Sequence, residues 1–171
     1  LHVVCRRQRQ MCIRDSASGL PAFKQYYKVE KTRELVLESI YDTVPIKSNR
    51  DTTIYSDVGA IILGEIVEKI SGLPLNVFAD SMIFKPLGMG TTFFNPPSNK
   101  MRRIVPTEFK PDGTIVHGYV HDENAYSLGG VAGHAGLFST AKDLAVFSQM
   151  MLNDGLYGWK RIFKTETVNC L

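Results

Sequence analysis

No stretch of the 171 residues approaches the run of about eighteen continuous apolar residues that a helical membrane span requires, so this portion is not expected to cross a bilayer as a helix. Local reaction motifs are also missing. The sequence has no G-x-S-x-G elbow, no phosphate-cradling G-x-x-x-x-G-K-[ST], no H-E-x-x-H and no paired cysteines at metal spacing. No cofactor and no metal are therefore expected. Cysteine occurs only at positions 5, 12 and 170, which leaves no disulfide framework to read. Excess charge is scarce too. The formal net charge of +3 is accounted for by Arg6, Arg7, Arg9 and Arg14 against Asp15, and the rest of the chain is balanced. A nucleic-acid partner has no support in such a body.

The first sixteen residues, LHVVCRRQRQMCIRDS, show neither helical nor strand periodicity and lack the apolar core of a signal peptide. They read as a non-native segment, and residues 17–171 as one partial domain without repeat, low-complexity tract or linker. At 44% hydrophobic and 22% charged, that body can form an ordinary globular core.

The rest is organised around Tyr55-Ser56-Asp57 and the helix it opens, expected over 58–71. Val58, Ile61, Ile62, Ile66 and Ile70 form an apolar stripe that Leu63 and Val67 widen. Ser56 or Asp57 can cap its first amides, and Gly72 supplies the left-handed stop. Upstream, Ser18-Gly19-Leu20-Pro21 is turn chemistry. Thr32 can cap a helix running to about Tyr41, with Leu35, Val36 and Ile40 inward and Pro45 as its end. Ile46 to Thr53 reads as a loop. Downstream, Pro74 can open a second helix with Leu75, Phe78, Ala79 and Met82 on one face, stopped by Pro86 and Gly88. Pro111-Asp112-Gly113 predicts the turn of a β-hairpin between Ile104–Phe109 and Thr114–Val120. His121 to Gly136 carries Gly129, Gly130, Gly133 and Gly136 and is expected to be a loop. Thr140 has capping-box spacing to Asp143, before a helix with Leu144, Phe147, Met151 and Leu152 inward. Thr165 to Val168 looks like the start of one more helix.

Several residues could carry chemistry. His121-Asp122-Glu123 with His134 reads as a hydrogen-bonded loop cluster rather than a metal site, because adjacent side chains diverge. A triad of Ser127, His134 and Asp122 is conceivable, but no spacing supports it. Tyr55 taken alone reads as a half-buried aromatic before a helix cap. As a general base it would need a neighbouring cation to bring its pKa down from ~10. Local chemistry leaves both readings open.

Separated motifs in one order bear a resemblance that does discriminate. Tyr55-Ser56-Asp57-Val58-Gly59, Leu63 to Glu68, Ser71-Gly72, Phe84-Lys85-Pro86-Leu87-Gly88-Met89 and Thr92-x-Phe94 resemble the serine β-lactamase-related family. That family includes class C β-lactamases, penicillin-binding-protein-type D-alanyl-D-alanine carboxypeptidases and related esterases. Pro106-Thr107-Glu108, Val120 to Ala125 and Gly129 to Ser139 are similar to its carboxypeptidase-like subgroup, some of whose members are fused to β-N-acetylhexosaminidase modules.

The resemblance implies an α/β fold of β-lactamase/transpeptidase type, here mainly the helical lobe plus a β-hairpin, with much of the antiparallel sheet missing. It also implies a site of three motifs: a Ser-x-x-Lys nucleophile, a Tyr-x-Asn or Tyr-x-Asp motif, and a Lys- or His-x-Gly strand. Tyr55 maps onto the proton-shuttling tyrosine and Asp57 onto the asparagine position. An ionised Asp57 only accepts hydrogen bonds, which suits orienting a lysine. His134-Ala135-Gly136 has the letters of the third motif but precedes the Thr140 helix, so His134 and Gly136 read as substrate-loop residues. No Ser-x-x-Lys stands in the family's place ahead of Ser18. The 171 residues by themselves are therefore expected not to turn over substrate. The implied parent is an acyl-serine hydrolase, D-Ala-D-Ala carboxypeptidase-like, acting on a peptidoglycan-type peptide or a small ester or amide outside the cytoplasm. The alternatives are a non-catalytic binding module of the same fold and a structural appendage to a glycosidase.

Overall fold

The computed structural model describes residues 16–28, 32–46 and 53–169. The expectations for 1–15, for the cysteines and for most of the 46–53 loop lie outside the described residues. A 3-10 turn (Tyr26–Lys28) precedes helix α1 (Arg33–Tyr41), followed by α2 (Asp57–Ser71). Caps explain both starts. The Thr32 side chain accepts from the Leu35 amide and that of Ser56 from the Gly59 amide. Helix α2 stops at Gly72, whose φ of 69° is the left-handed conformation that glycine adopts without a Cβ penalty. Helix α1 ends at Tyr41 with Asp42 as its cap, before Pro45 is reached.

The stripes turn out narrower than expected. Val58 and Ile61 of α2 are buried, whereas Ile70 is 78% exposed; in α1 Val36 and Ile40 are buried and Leu35 faces out. Neighbouring elements cover only part of each apolar face, and periodicity carries no information about where that cover ends.

Pro74 caps rather than begins the next helix, α3 (Leu75–Ala79). The free Leu75 amide donates to Glu68 Oε1 of α2 at 2.7 Å, and Glu68 Oε2 also receives the Arg33 guanidinium of α1 at 3.0 Å. One carboxylate thus joins three helices. Past α3 the chain widens into a π-helical turn (Asp80–Phe84) and a last helical turn, α4 (Lys85–Leu87), which contains Pro86. A wide turn accommodates a proline ring that would clash in a regular α-helix, so Pro86 does not stop the helix; Gly88 does. The widening also rotates the buried face. Ala79, Phe84 and Leu87 are buried, and the expected Met82 is 55% exposed.

Strand content among the described residues is three two-stranded antiparallel sheets. Strand β1 (Phe93–Phe94) pairs with β4 (Leu137–Phe138), β2 (Glu108–Phe109) with β3 (Ile115–Val116), and β5 (Leu156–Tyr157) with β6 (Lys160–Arg161). The hairpin around Pro111-Asp112-Gly113 is present but much shorter than expected. A 3-10 helix (Ser98–Arg103) lies between β1 and β2.

The expected loop from His121 to Gly136 is not loop throughout, because Glu123–Ser127 form α5, capped by the Asp122 side chain on the Ala125 amide. It ends before the first glycine. Helix α6 (Ala141–Leu152) starts at Thr140 as its spacing predicts, but its buried residues are Asp143 and Met150; Leu144 and Leu152 are exposed. Asp143 does not complete a capping box. Its carboxylate reaches the 91–92 turn instead. A final short helix, α7, spans Thr165–Val168.

Two cores result. One gathers Tyr26, α1, the start of α2, Val120, Ala125, Leu128 and Ala132. The second gathers Ala79, Phe84, Leu87, Met89 and Met150, with Phe94, Phe147 and Phe163 against it. The segment from His121 to Gly136 supplies Ala125, Leu128 and Ala132 to the first of these cores.

Candidate active site

The mouth of α2 is fixed by the segment that the sequence places at Ser18 to Pro21. Ser56 Oγ donates to the Pro21 carbonyl at 2.6 Å while accepting from the Gly59 amide at 3.1 Å, and the Asp57 amide donates to the Ala22 carbonyl at 2.9 Å. Ser56 is buried by this double use, whereas Tyr55 is exposed and Asp57 is half-buried. Tyr55 is 67% exposed, so the half-buried aromatic expected from local reading is not what the structure shows. Its hydroxyl makes no hydrogen bond among the described residues.

Asp57 has company. Gly133 lies directly on α2, where a Cβ would overlap the Ala60 carbonyl oxygen and stand 3.0 Å from the Gly64 amide. That contact, one turn into the helix, delivers His134 beside its first turn. The His134 side chain is only 2% exposed and its Nε2 lies 2.8 Å from Asp122 Oδ1. The same oxygen accepts the Ala125 amide at 2.7 Å as the cap of α5. Burial pushes the Asp122 carboxyl up, but the hydrogen bonds from His134 and the Ala125 amide outweigh it and hold it below the usual value. At Asp57 burial wins: it raises the carboxyl pKa, the positive charge of His134 opposes the rise, and the Asp122 carboxylate adds to it. His134 Nδ1 is buried without a hydrogen-bond partner.

His134, Asp122 and Gly136 line a cavity of about 760 Å³, together with Arg103, Ser139 and Thr140. Gly136, at φ 110°, is pressed against the Gly130 carbonyl, a separation no side chain would permit. The structure therefore brings His134 and Gly136 onto one wall, and Asp57 is not among the residues that line it. Tyr55 stands outside that wall.

Other combinations do not form. Ser127 Oγ donates to the Asn124 carbonyl at 2.7 Å rather than meeting His134. His121 turns to the Thr107 hydroxyl at 3.0 Å and the Glu108 carboxylate at 3.7 Å. Among the described residues no group of three or more His, Cys, Asp or Glu side chains could hold a metal ion. The letters of the nucleophile motif recur at Ser139-Thr140-Ala141-Lys142, on the cavity and at a helix start. Ser139 lies ahead of the cap of α6, its Oγ is 2.8 Å from Thr92 Oγ1, and Lys142 points into solvent. Among the described residues the printed partner of the Ser139 hydroxyl is Thr92, not a base.

The sequence model of the beta-lactamase family matches residues 15–168. The chain belongs to the beta-lactamase family. A family relative from Escherichia coli (strain K12), named "Putative D-alanyl-D-alanine carboxypeptidase", is 46% identical over 178 residues, which cover 89% of this chain and 40% of that protein. This beta-lactamase-family chain thus spans 40% of the length of such a relative. Two solved structures share its fold. The octameric penicillin-binding protein homologue from Pyrococcus abyssi superposes with a TM-score of 0.65 at 18% identity, over 92% of this chain and 36% of its own. The D-amino acid amidase from Ochrobactrum anthropi SV3 gives 0.66 at 21%, over 93% and 46%. The fold is β-lactamase/transpeptidase-like, and this part of it is helix-rich with a few short antiparallel strands. No helix among the described residues is long and apolar enough to cross a membrane.

Proposed function

We propose that this chain carries the tyrosine-motif portion of an acyl-serine hydrolase that cleaves a peptide of D-Ala-D-Ala type outside the cytoplasm. The observation that carries the reading is Tyr55-Ser56-Asp57 held at the capped mouth of α2, with an enclosed His134, bonded to Asp122, on the cavity beside it. In such an enzyme a serine hydroxyl attacks the scissile carbonyl, its proton passes through a basic group to the departing amine, and water then hydrolyses the ester. Tyr55, exposed and without a hydrogen bond among the described residues, is available to relay that proton. Asp57 in its ionised form accepts hydrogen bonds and can orient the cation that a basic tyrosine requires.

The relative's name supports the carboxypeptidase end of the family, and the D-amino acid amidase shows that the fold also holds an amidase. The test is acylation by a fluorescent penicillin and hydrolysis of a D-Ala-D-Ala peptide in the longer protein that contains these residues. Tyr55→Phe should lower the acylation rate by about 10²–10⁴, the usual contribution of a positioned proton-transfer group. An unchanged rate refutes the role. The 171-residue chain by itself should take no label, and Ser139→Ala should leave labelling of the longer protein intact.

A further inference from the structure

We propose that the cavity on which His134 and Gly136 stand is a binding site for a ligand carboxylate, recognised by Lys100 and Arg103. The 3-10 helix Ser98–Arg103 presents these two cations together. Three residues complete one turn of such a helix, so positions 100 and 103 share a face. Both line the cavity, and Arg102 between them does not. The helix is anchored from the hairpin side. The Met101 side chain occupies the space that a Cβ on Gly118 would need, and His117 Nε2 lies 2.9 Å from the carbonyl of Ile104, the residue that caps the helix.

Among the described residues neither Lys100 nor Arg103 has a hydrogen bond or an ion pair. The carboxylates on the same cavity, Asp122 and Glu123, come from the start of α5 and leave the two cations unpaired. Asp122 is already engaged, since its Oδ1 accepts the Ala125 amide at 2.7 Å and lies 2.8 Å from His134 Nε2. Glu123 is exposed. An ammonium and a planar guanidinium on one face can hold a carboxylate between them, the guanidinium with two parallel hydrogen bonds. Phe93 and Leu137 add apolar wall, and about 760 Å³ lies within the range of sites that enclose small molecules, about 300–1,000 Å³. The ligand that fits is an acid on a short, partly apolar body. That this body is a peptide rests on the hydrolase reading; the recognition of its charge does not.

The experiment is a titration of the 171-residue chain, followed by backbone amide chemical shifts, with three peptides. N-acetyl-D-alanyl-D-alanine carries a terminal carboxylate, its C-terminal amide carries none, and the C-terminal amide of N-acetyl-D-glutamyl-D-alanine carries one on a side chain. At least one of the two acids should shift residues 98–104 and bind about tenfold or more tighter than the neutral peptide; which acid does so identifies the source of the carboxylate. Replacing both cations, Lys100→Gln with Arg103→Gln, should remove that preference, at about 3- to 10-fold for each charge. Glu123→Gln should retain or strengthen it. In the longer protein the double substitution should raise KM for the preferred acid more than for its neutral counterpart. Failure of the hydrolase reading would appear as absent penicillin labelling and peptide hydrolysis, and would leave the titration as it stands. Neutral peptide binding as tightly as both acids, no binding of either acid, or an acid preference untouched by the double substitution overturns the proposal.

Discussion

Replacing Asp143 with alanine should cost more stability than any other single polar substitution in the second core. Asp143 is 4% exposed, and its Oδ2 accepts the Thr91 amide at 2.8 Å, the Thr91 hydroxyl at 2.7 Å and the Thr92 hydroxyl at 2.9 Å. Each hydrogen bond to a charged group contributes about 1.5–3 kcal/mol. The three share one acceptor, and water can reach part of Thr91, so the sum overstates the effect; a loss of about 3–5 kcal/mol is expected. Asp143→Asn keeps an acceptor oxygen without the charge and should lose roughly half as much.

The pH dependence has a definite sign. Burial raises the Asp143 carboxyl, but the hydrogen bonds from Thr91 and Thr92 outweigh it and bring the pKa below its ordinary 3.8. The unfolded chain then binds the proton more tightly. Its stabilisation is present above pH 3.8 and is lost as pH falls through the folded value. Urea unfolding of the three proteins at neutral pH and near pH 3 reads both effects. A loss under about 1 kcal/mol for Asp143→Ala, or an equal pH slope in the parent and Asp143→Asn, would refute this account.

Backbone contact at Gly133 gives a second expectation. Gly133→Ala should lower stability by about 2–4 kcal/mol through overlap with the Ala60 carbonyl. Gly129→Ala, at φ 86° with open space around it, should lose only about 1–2 kcal/mol of conformational strain; thermal unfolding of the pair separates the causes. Ser56→Ala removes a cap and a bond to Pro21 and should cost about 1–2 kcal/mol in the same assay. Tyr55→Phe should change stability by less than about 0.5 kcal/mol, because the side chain is mostly exposed; a larger drop would assign the hydroxyl a structural task.

Helix ends are legible where the signal is local. Thr32, Ser56, Gly72 and Thr140 each act through the two or three residues beside them, and each stands where its spacing puts it. Buried faces are less legible. Ile70, Leu35, Leu144 and Met82 satisfy the periodicity yet face solvent, because the covering element decides and it comes from elsewhere in the chain. Helix α5 is too short to show a period, although Asp122 ahead of Glu123 is a usable capping signal. The β1–β4 pairing joins residues more than forty apart and leaves no local trace. At the site, Tyr55 and Asp57 emerge only from resemblance. The hydrogen-bonded cluster read from His121-Asp122-Glu123 and His134 forms only in part, as the Asp122–His134 bond, while His121 turns to Thr107 and Glu108.

The meeting of Gly133 with Ala60 and Gly64 brings main chain against main chain, with no side chain between. Rotamer changes cannot widen or narrow such a gap, so the distance from the glycine loop to the helix is fixed as firmly as the spacing of atoms within a turn. Positions 64 and 133 consequently behave as one lock. A library that randomises either alone should return glycine, and one that randomises both should return paired solutions in which the loop has been displaced and the wall of the cavity has moved with it.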